Sequence, residues 1–176
     1  MKKQKKQLLV MLVVLALFIA GFFIIRYVMA NQEIETETVS VTKIYHADKE
    51  SIKEVQIVRE NDTLDLVRDG DTWGLKDDKS AKLNQDSVDS VIGFAAYLNA
   101  SDIIEEPGDL SEYGLDNPMY VVTITDALSS QQTYFVGDEC VLDGTYFAKL
   151  EGSDTIYKIA YTYPNSFSTE IESLKE

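Results

Sequence analysis

The sequence holds one cysteine and one histidine among its 176 residues. One cysteine excludes an internal disulfide and any Cys-rich zinc module. One histidine excludes multi-His metal sites. Positive charge is scarce as well, with 16 Lys and Arg against 30 Asp and Glu, a net charge of −14. Nucleic acid is therefore not an expected partner, because phosphate binding needs a basic face. No Gly-x-Ser-x-Gly, His-Glu-x-x-His or Gly-rich phosphate loop occurs. The length allows one domain of ordinary size and an appendage.

The cations that exist are unevenly placed. Residues 1–30 contain Lys2, Lys3, Lys5, Lys6 and Arg26 and no acid. They carry +5, which leaves 11 basic against 30 acidic residues, or −19, for the remainder. Behind the four lysines, Leu8 to Ile25 reads LLVMLVVLALFIAGFFII, 18 residues without a charge. As a helix this run is ~27 Å long. With Tyr27 to Ala30 it reaches the ~30 Å of a bilayer's hydrocarbon core. Arg26 can snorkel and Tyr27 suits the interface. The expectation is a basic cytoplasmic tail over 1–7 and a signal-anchor helix over 8–30 that contacts the lipid bilayer. The excess of lysine before the run puts the N-terminus inside and the remainder outside, a single-pass cell-membrane protein. A cleaved signal peptide is the competing reading, with Val28 and Ala30 at the −3 and −1 positions. Its core should span only about 7–15 residues, and Arg26 sits where small residues belong. No cysteine stands directly behind the run, so a lipoprotein is disfavoured. No polar face interrupts Leu8–Ile25, which argues against a buried core helix.

Residues 31–40 (NQEIETETVS) read as an acidic tether, and residues 41–176 as one extracytoplasmic domain. A β-like pattern begins near Val41. Three short runs then alternate apolar and polar positions: Glu54–Arg59 (Val55, Ile57), Thr63–Arg68 (Leu64, Leu66) and Thr72–Leu75 (Trp73, Leu75). Turn residues separate them, which predicts an antiparallel meander. Asn84–Leu98 switches to helical spacing through Val88, Val91, Ile92, Ala95 and Leu98, with Asn84 as N-cap. Ser101–Ile104 is a further short strand, broken by Pro107-Gly108. In the second half, Tyr120, Val122 and Ile124 alternate, Thr133–Val136 returns, and Thr145–Leu150 with Thr155–Ile159 makes a hairpin. Phe167, Ile171 and Leu174 predict a short closing helix after Pro164. The expected fold class is α+β, an antiparallel-sheet domain with two helices. Strands followed by a helix in each half raise a duplicated β-β-β-α unit, unaccompanied by any fixed-period identity.

The most distinctive stretch is Ser111-Glu112-Tyr113-Gly114-Leu115-Asp116-Asn117-Pro118. It reads as a tight corner. Gly114 takes a left-handed conformation after a helical turn, Asn117-Pro118 forces an extended exit, and Tyr113 and Leu115 pin the corner to the core. The stretch resembles the Tyr-Gly-Leu-Asp-x-Pro signature of the bacterial domain-of-unknown-function family numbered forty-three-forty. Trp73-Gly74-Leu75 is similar to that family's W-x-L. Val136-Gly137-Asp138 is similar to its glycine turn. Gly144, Tyr146, Leu150, Gly152, Ile156 and Tyr157 are similar to its glycine-tyrosine hairpin. The likeness runs over about residues 50 to 174. Two departures stand out: Asp77-Asp78 replaces a frequent Pro, and Lys149 replaces a frequent Arg. The family offers no catalytic residues to carry over. What the resemblance implies is a membrane-anchored envelope protein that accompanies ABC-type transporter components of the gliding-motility type.

Other chemistry is weakly signalled. His46 is expected at a strand end on the surface. Cys140 sits among acids that disfavour a reactive thiolate, and reads as a small half-buried residue. Asp69-Gly70-Asp71, Asp77-Asp78 and Asp138-Glu139 are turn chemistry rather than a Ca²⁺ loop. Thirty acids guarantee some close pairs, so a carboxylate hydrolase stays open only in principle. The tyrosines of the second half suit strand packing, or recognition of protein or sugar. No catalytic, metal or cofactor site is expected. The candidate interaction positions are Trp73, Tyr113, Gly114, Leu115, Asp116, Pro118, Gly137, Gly144, Tyr146, Gly152 and Tyr157. The expected function is a non-enzymatic accessory contacting a polytopic membrane or envelope protein. The alternative is a binding domain for a cell-wall polymer or peptide.

Overall fold

The computed structural model describes residues 41–176. The tail, the signal-anchor helix and the acidic tether expected over residues 1–40 lie outside the described residues. Among those described, no helix is long and apolar enough to cross a membrane.

Among the described residues, ten strands, two helices and two short 3₁₀ turns follow one another. β1 is Thr42–His46, β2 Ile52–Val58, β3 Thr63–Asp69 and β4 Thr72–Leu75. Helix α1 is Gln85–Ala96, then come β5 Tyr97–Ala100, β6 Asp102–Ile104 and a 3₁₀ turn Leu110–Tyr113. β7 is Tyr120–Asp126, β8 Gln131–Glu139, β9 Tyr146–Leu150 and β10 Ile156–Ile159. Helix α2 is Thr162–Phe167, and a 3₁₀ turn Ile171–Leu174 closes the chain. Eight strands form one antiparallel sheet in the order β4-β3-β2-β7-β8-β9-β10-β6. β1 and β5 form a separate antiparallel pair. The architecture is α+β, as the consecutive strand runs indicate.

Alternation decides which face is buried. Val55, Ile57, Leu64, Leu66, Trp73, Leu75, Tyr120, Val122, Ile124, Tyr134, Val136 and Ala148 all join the core on one side. Ile52 joins them because the β2–β7 register slips between Ile52 and Glu54, turning three residues' spacing into an in-facing pair. α1 covers this face with Val88, Val91, Ile92, Ala95 and Ala96. Asn84 caps it, its side chain accepting from the Ser87 N–H at 3.0 Å. Phe167 of α2 is fully buried, with its ring 5.9 Å from Tyr120 and 6.2 Å from Tyr134. The Tyr163 hydroxyl ties α2 to β5, donating to Tyr97 O at 2.8 Å and accepting from Asn99 N–H at 3.0 Å.

Three expectations need correction. The first helix stops at Ala96 rather than Leu98, because Tyr97–Ala100 finds a strand partner in β1. Leu98 stays buried either way, so its apolar spacing could not separate helix from strand. The closing helix is two pieces. α2 starts before Pro164, which sits in the first turn where its missing N–H costs nothing, and ends at Phe167. Ile171 and Leu174 belong to the following 3₁₀ turn. The second run of strands before a helix has four members, β7 to β10, where the first, β2 to β4, has three.

Candidate functional site

The distinctive corner is built as its residues suggest. Asp109 caps the 3₁₀ turn, accepting from the Ser111 N–H at 3.1 Å and the Ser111 hydroxyl at 3.0 Å. These two bonds hold the Asp109 carboxyl below its ordinary pKa. Gly114 follows with φ +64°, the left-handed conformation that ends the turn. Leu115 is buried, whereas Asp116 is exposed and Pro118 half-buried. Gly137 of β8 lies directly beneath. A Cβ at Gly137 would collide with the Tyr113 carbonyl oxygen, and a Cβ at Gly114 with the Asp138 carboxyl. Two chain segments thus touch backbone to backbone. The Tyr113 ring meets Phe147 edge-on at 5.0 Å. Phe147 alternates with the core-facing Ala148, so this pair lies on the sheet face away from the helices. Tyr113 is therefore not part of the main core cluster, contrary to the expectation that it pins the corner there, whereas Leu115 is buried.

The glycine-tyrosine hairpin sits next to this corner. Gly144 has φ +70° and ends the loop between β8 and β9. Tyr146 donates to Glu139 across the base of that loop at 3.4 Å. Cys140 is buried at the loop's start. Asp143 accepts from the Thr145 hydroxyl at 2.6 Å, the Thr145 N–H at 3.1 Å and the Lys158 ammonium at 2.9 Å. These contacts hold the Asp143 carboxyl well below the usual range, and the hydrogen bond to Asp143, with its charge, raises the Lys158 ammonium in turn. Gly152, with φ +77°, turns the next hairpin, and Tyr157 is half-buried in β10.

Trp73 lies apart from these residues, on the opposite edge strand. The Arg68 guanidinium sits 5.7 Å above its ring and donates to the carbonyls of Lys49 (3.0 Å) and Glu50 (3.1 Å). The Gln85 amide closes the strand edge, accepting from Trp73 N–H at 2.8 Å and donating to Trp73 O at 3.0 Å. A groove of about 820 Å³ runs beside it, lined by Arg68, Lys76, Lys79, Lys82 and the buried Trp73. Asp78 caps a turn there, accepting from the Ser80 hydroxyl at 2.7 Å and N–H at 3.1 Å. A second groove, about 620 Å³, lies between α1 and α2. Ser87, Ser90, Thr162, Ser166, Thr169 and Ser173 line it around Val91, Phe94 and Leu174.

The structure thus gathers Tyr113, Gly114 and Leu115 over Gly137, with Gly144 and Tyr146 on the neighbouring loop, and leaves Trp73 outside. Sequence reasoning counts Phe147 only among the second-half aromatics, without its pairing to Tyr113, and misses Arg68 and Lys158. Lone residues within alternating strands gave no signal for any of them. His46 stands exposed at a strand end, bonded to Asn99 at 2.8 Å. Among the described residues no group of three His, Cys, Asp or Glu side chains is placed to hold a metal ion.

No curated protein and no solved structure matches the chain. One family model does, over residues 73–176. The match begins at Trp73 and takes in the corner, the glycine-tyrosine hairpin and the closing helices. It covers more than half of the chain, which therefore belongs to the family described as domain of unknown function DUF4340.

Proposed function

We propose that the chain is a single-pass, membrane-anchored extracytoplasmic protein that serves as a non-enzymatic accessory of an ABC-transporter-type membrane complex. One observation carries the reading. An uncharged 18-residue run behind four lysines is followed, after fifteen residues of which the last ten are mostly polar, by a compact domain of strongly negative charge. That order suits an anchor, a tether and a solvated outer module. The transporter association rests on the resemblance of the family's members to envelope proteins that accompany such components. Purification of the full chain in mild detergent, followed by mass spectrometry, should recover a polytopic partner. Repeated isolation as a lone monomer overturns the accessory role, and a mature N-terminus at Asn31 overturns the anchor.

A second reading, a receptor for an envelope polymer, is favoured by the hydroxyl-lined groove between α1 and α2. Six hydroxyl side chains, the Asn165 amide and the single carboxylate of Asp86 around an apolar floor suit a hydroxylated ligand without negative charge. Binding of soluble cell-wall glycan fragments, abolished by Ser90→Leu, would favour this reading over the first.

A further inference from the structure

The loop between β8 and β9 holds two consecutive aliphatic side chains in the open. Val141 is 95% exposed and Leu142 93%. Single exposed apolar residues are ordinary on a protein surface. This pair differs in being rigidly presented. Cys140 N–H donates to Thr145 O at 2.7 Å, Gly144 N–H donates to Cys140 O at 2.9 Å, and Asp143 is held by Thr145 and Lys158. A braced tip loses little freedom when it is seated against a partner.

The tip also occupies a particular end of the domain. Thr42, where the described chain begins its first strand, pairs with Ala100. The next residue, Ser101, donates from its N–H to Lys158 O at 2.9 Å, and Lys158 reaches Asp143 in the tip. The chain therefore arrives from its N-terminal segment at the same end that displays Val141 and Leu142. Residues 31–40 span at most ~35 Å. Leu128 is 89% exposed but lies at the other end of β8, nine residues and ~30 Å away. The tip's surroundings are acidic. Asp138 and Glu139 precede it, Asp143 follows, Asp102 lies beyond Lys158, and Lys158 is the one cation among them.

We propose that Val141 and Leu142 form a docking knuckle that seats in an apolar pocket rimmed by Lys or Arg on the extracytoplasmic side of a membrane-embedded protein. This rests on the accessory reading above and gives that reading its contact surface. The test uses the full chain in its native membranes with a photoreactive benzophenone residue at Leu142 or, in parallel, at Leu128. Leu142 should give an adduct whose partner peptide is an extracytoplasmic apolar segment with Lys or Arg beside it, at roughly tenfold the yield from Leu128. Glu139→Lys should lower that yield severalfold. The pair Val141→Asn with Leu142→Asn should reduce co-purification of the partner while leaving the melting temperature unchanged, since neither side chain is packed. Adducts with lipid alone, adducts with a second copy alone, equal yields from both positions, or no adduct overturn the proposal. An adduct with a membrane protein from Leu128 and none from Leu142 sinks this surface and leaves the accessory reading standing. Absence of any partner co-purifying with the unaltered chain sinks both.

Discussion

The two flanks of the sheet, on either side of the central β2–β7 pair, are held together by different means. The flank of β3 and β4 relies on long side chains. Arg68 spans from Trp73 to the carbonyls of Lys49 and Glu50, Gln85 plugs the strand edge, and Lys76 bridges Glu54 and Asp65. The flank of β8 to β10 has one such clamp, Lys158 on Asp143, but is distinguished by missing side chains. Gly137 and Gly114 let two backbones touch, and the aromatic pair Tyr113–Phe147 lies beside them. Side-chain clamps tolerate adjustment, because a flexible chain can find a second geometry. A backbone contact does not. The difference also separates two meanings of a motif. The corner residues fix the path of the chain, while the exposed pair Val141 and Leu142 belongs to no motif.

The largest expected effect comes from asking both flanks to accept one methyl group. Gly137→Ala places a Cβ into the Tyr113 carbonyl, where only backbone can move. Overpacking of this kind should destabilise the domain by about 3 kcal/mol. Gly74→Ala, in β4 of the other flank, meets nothing within 4 Å. It should change stability by no more than about 0.5 kcal/mol. Urea denaturation of both variants measures the contrast. Equal losses would show that the two flanks are not held differently.

What could be read in advance followed the same division. Alternation in Val55-x-Ile57, Leu64-x-Leu66 and Tyr120-x-Val122-x-Ile124 exposes strand and face directly, because burial on one side needs period two. The left-handed Gly114 was legible, because Gly after a helical turn has few other uses. β5 was not, since Leu98 satisfies both the helical and the strand pattern and only pairing with β1 decides between them. The pairing of Gly114 with Gly137 was not legible either. Each glycine looks locally like turn chemistry, and their contact is long-range. The β8–β9 tip was unreadable for a simpler reason. Two aliphatic residues in a sequence suggest burial, and only the fold shows them in solvent.

The next effect sharpens the clamp side of the comparison. Arg68→Met keeps most of the apolar stem but removes two donations to carbonyls and the cation over Trp73. The loss should be about 1–2 kcal/mol. Hydrogen exchange should quicken at the turn carrying Lys49 and Glu50 and stay unchanged at the Tyr113 corner. Faster exchange at both places would mean that the flanks are coupled through the core.

The smallest effect tests the seam where the β8 flank meets α1. Tyr134 is fully buried, and its hydroxyl donates to Ala95 O at 3.2 Å. Burial pushes that hydroxyl's pKa well above its ordinary value of 10.0. The folded state therefore keeps a proton that the unfolded state releases. Stability is fully present below pH ~10 and declines as pH rises beyond it. Tyr134→Phe should cost about 1 kcal/mol near neutrality, the worth of one hydrogen bond. It should also flatten the decline above pH ~10, because Phe has no proton to release. Melting temperatures of both forms from pH 8 to 11 should therefore converge. Tyr45 and Tyr120, raised by burial in the same direction, leave a residual slope in the variant. Parallel curves would mean that Tyr134 ionises without opening the seam, and that α1 and the β8 flank separate more readily than their packing implies.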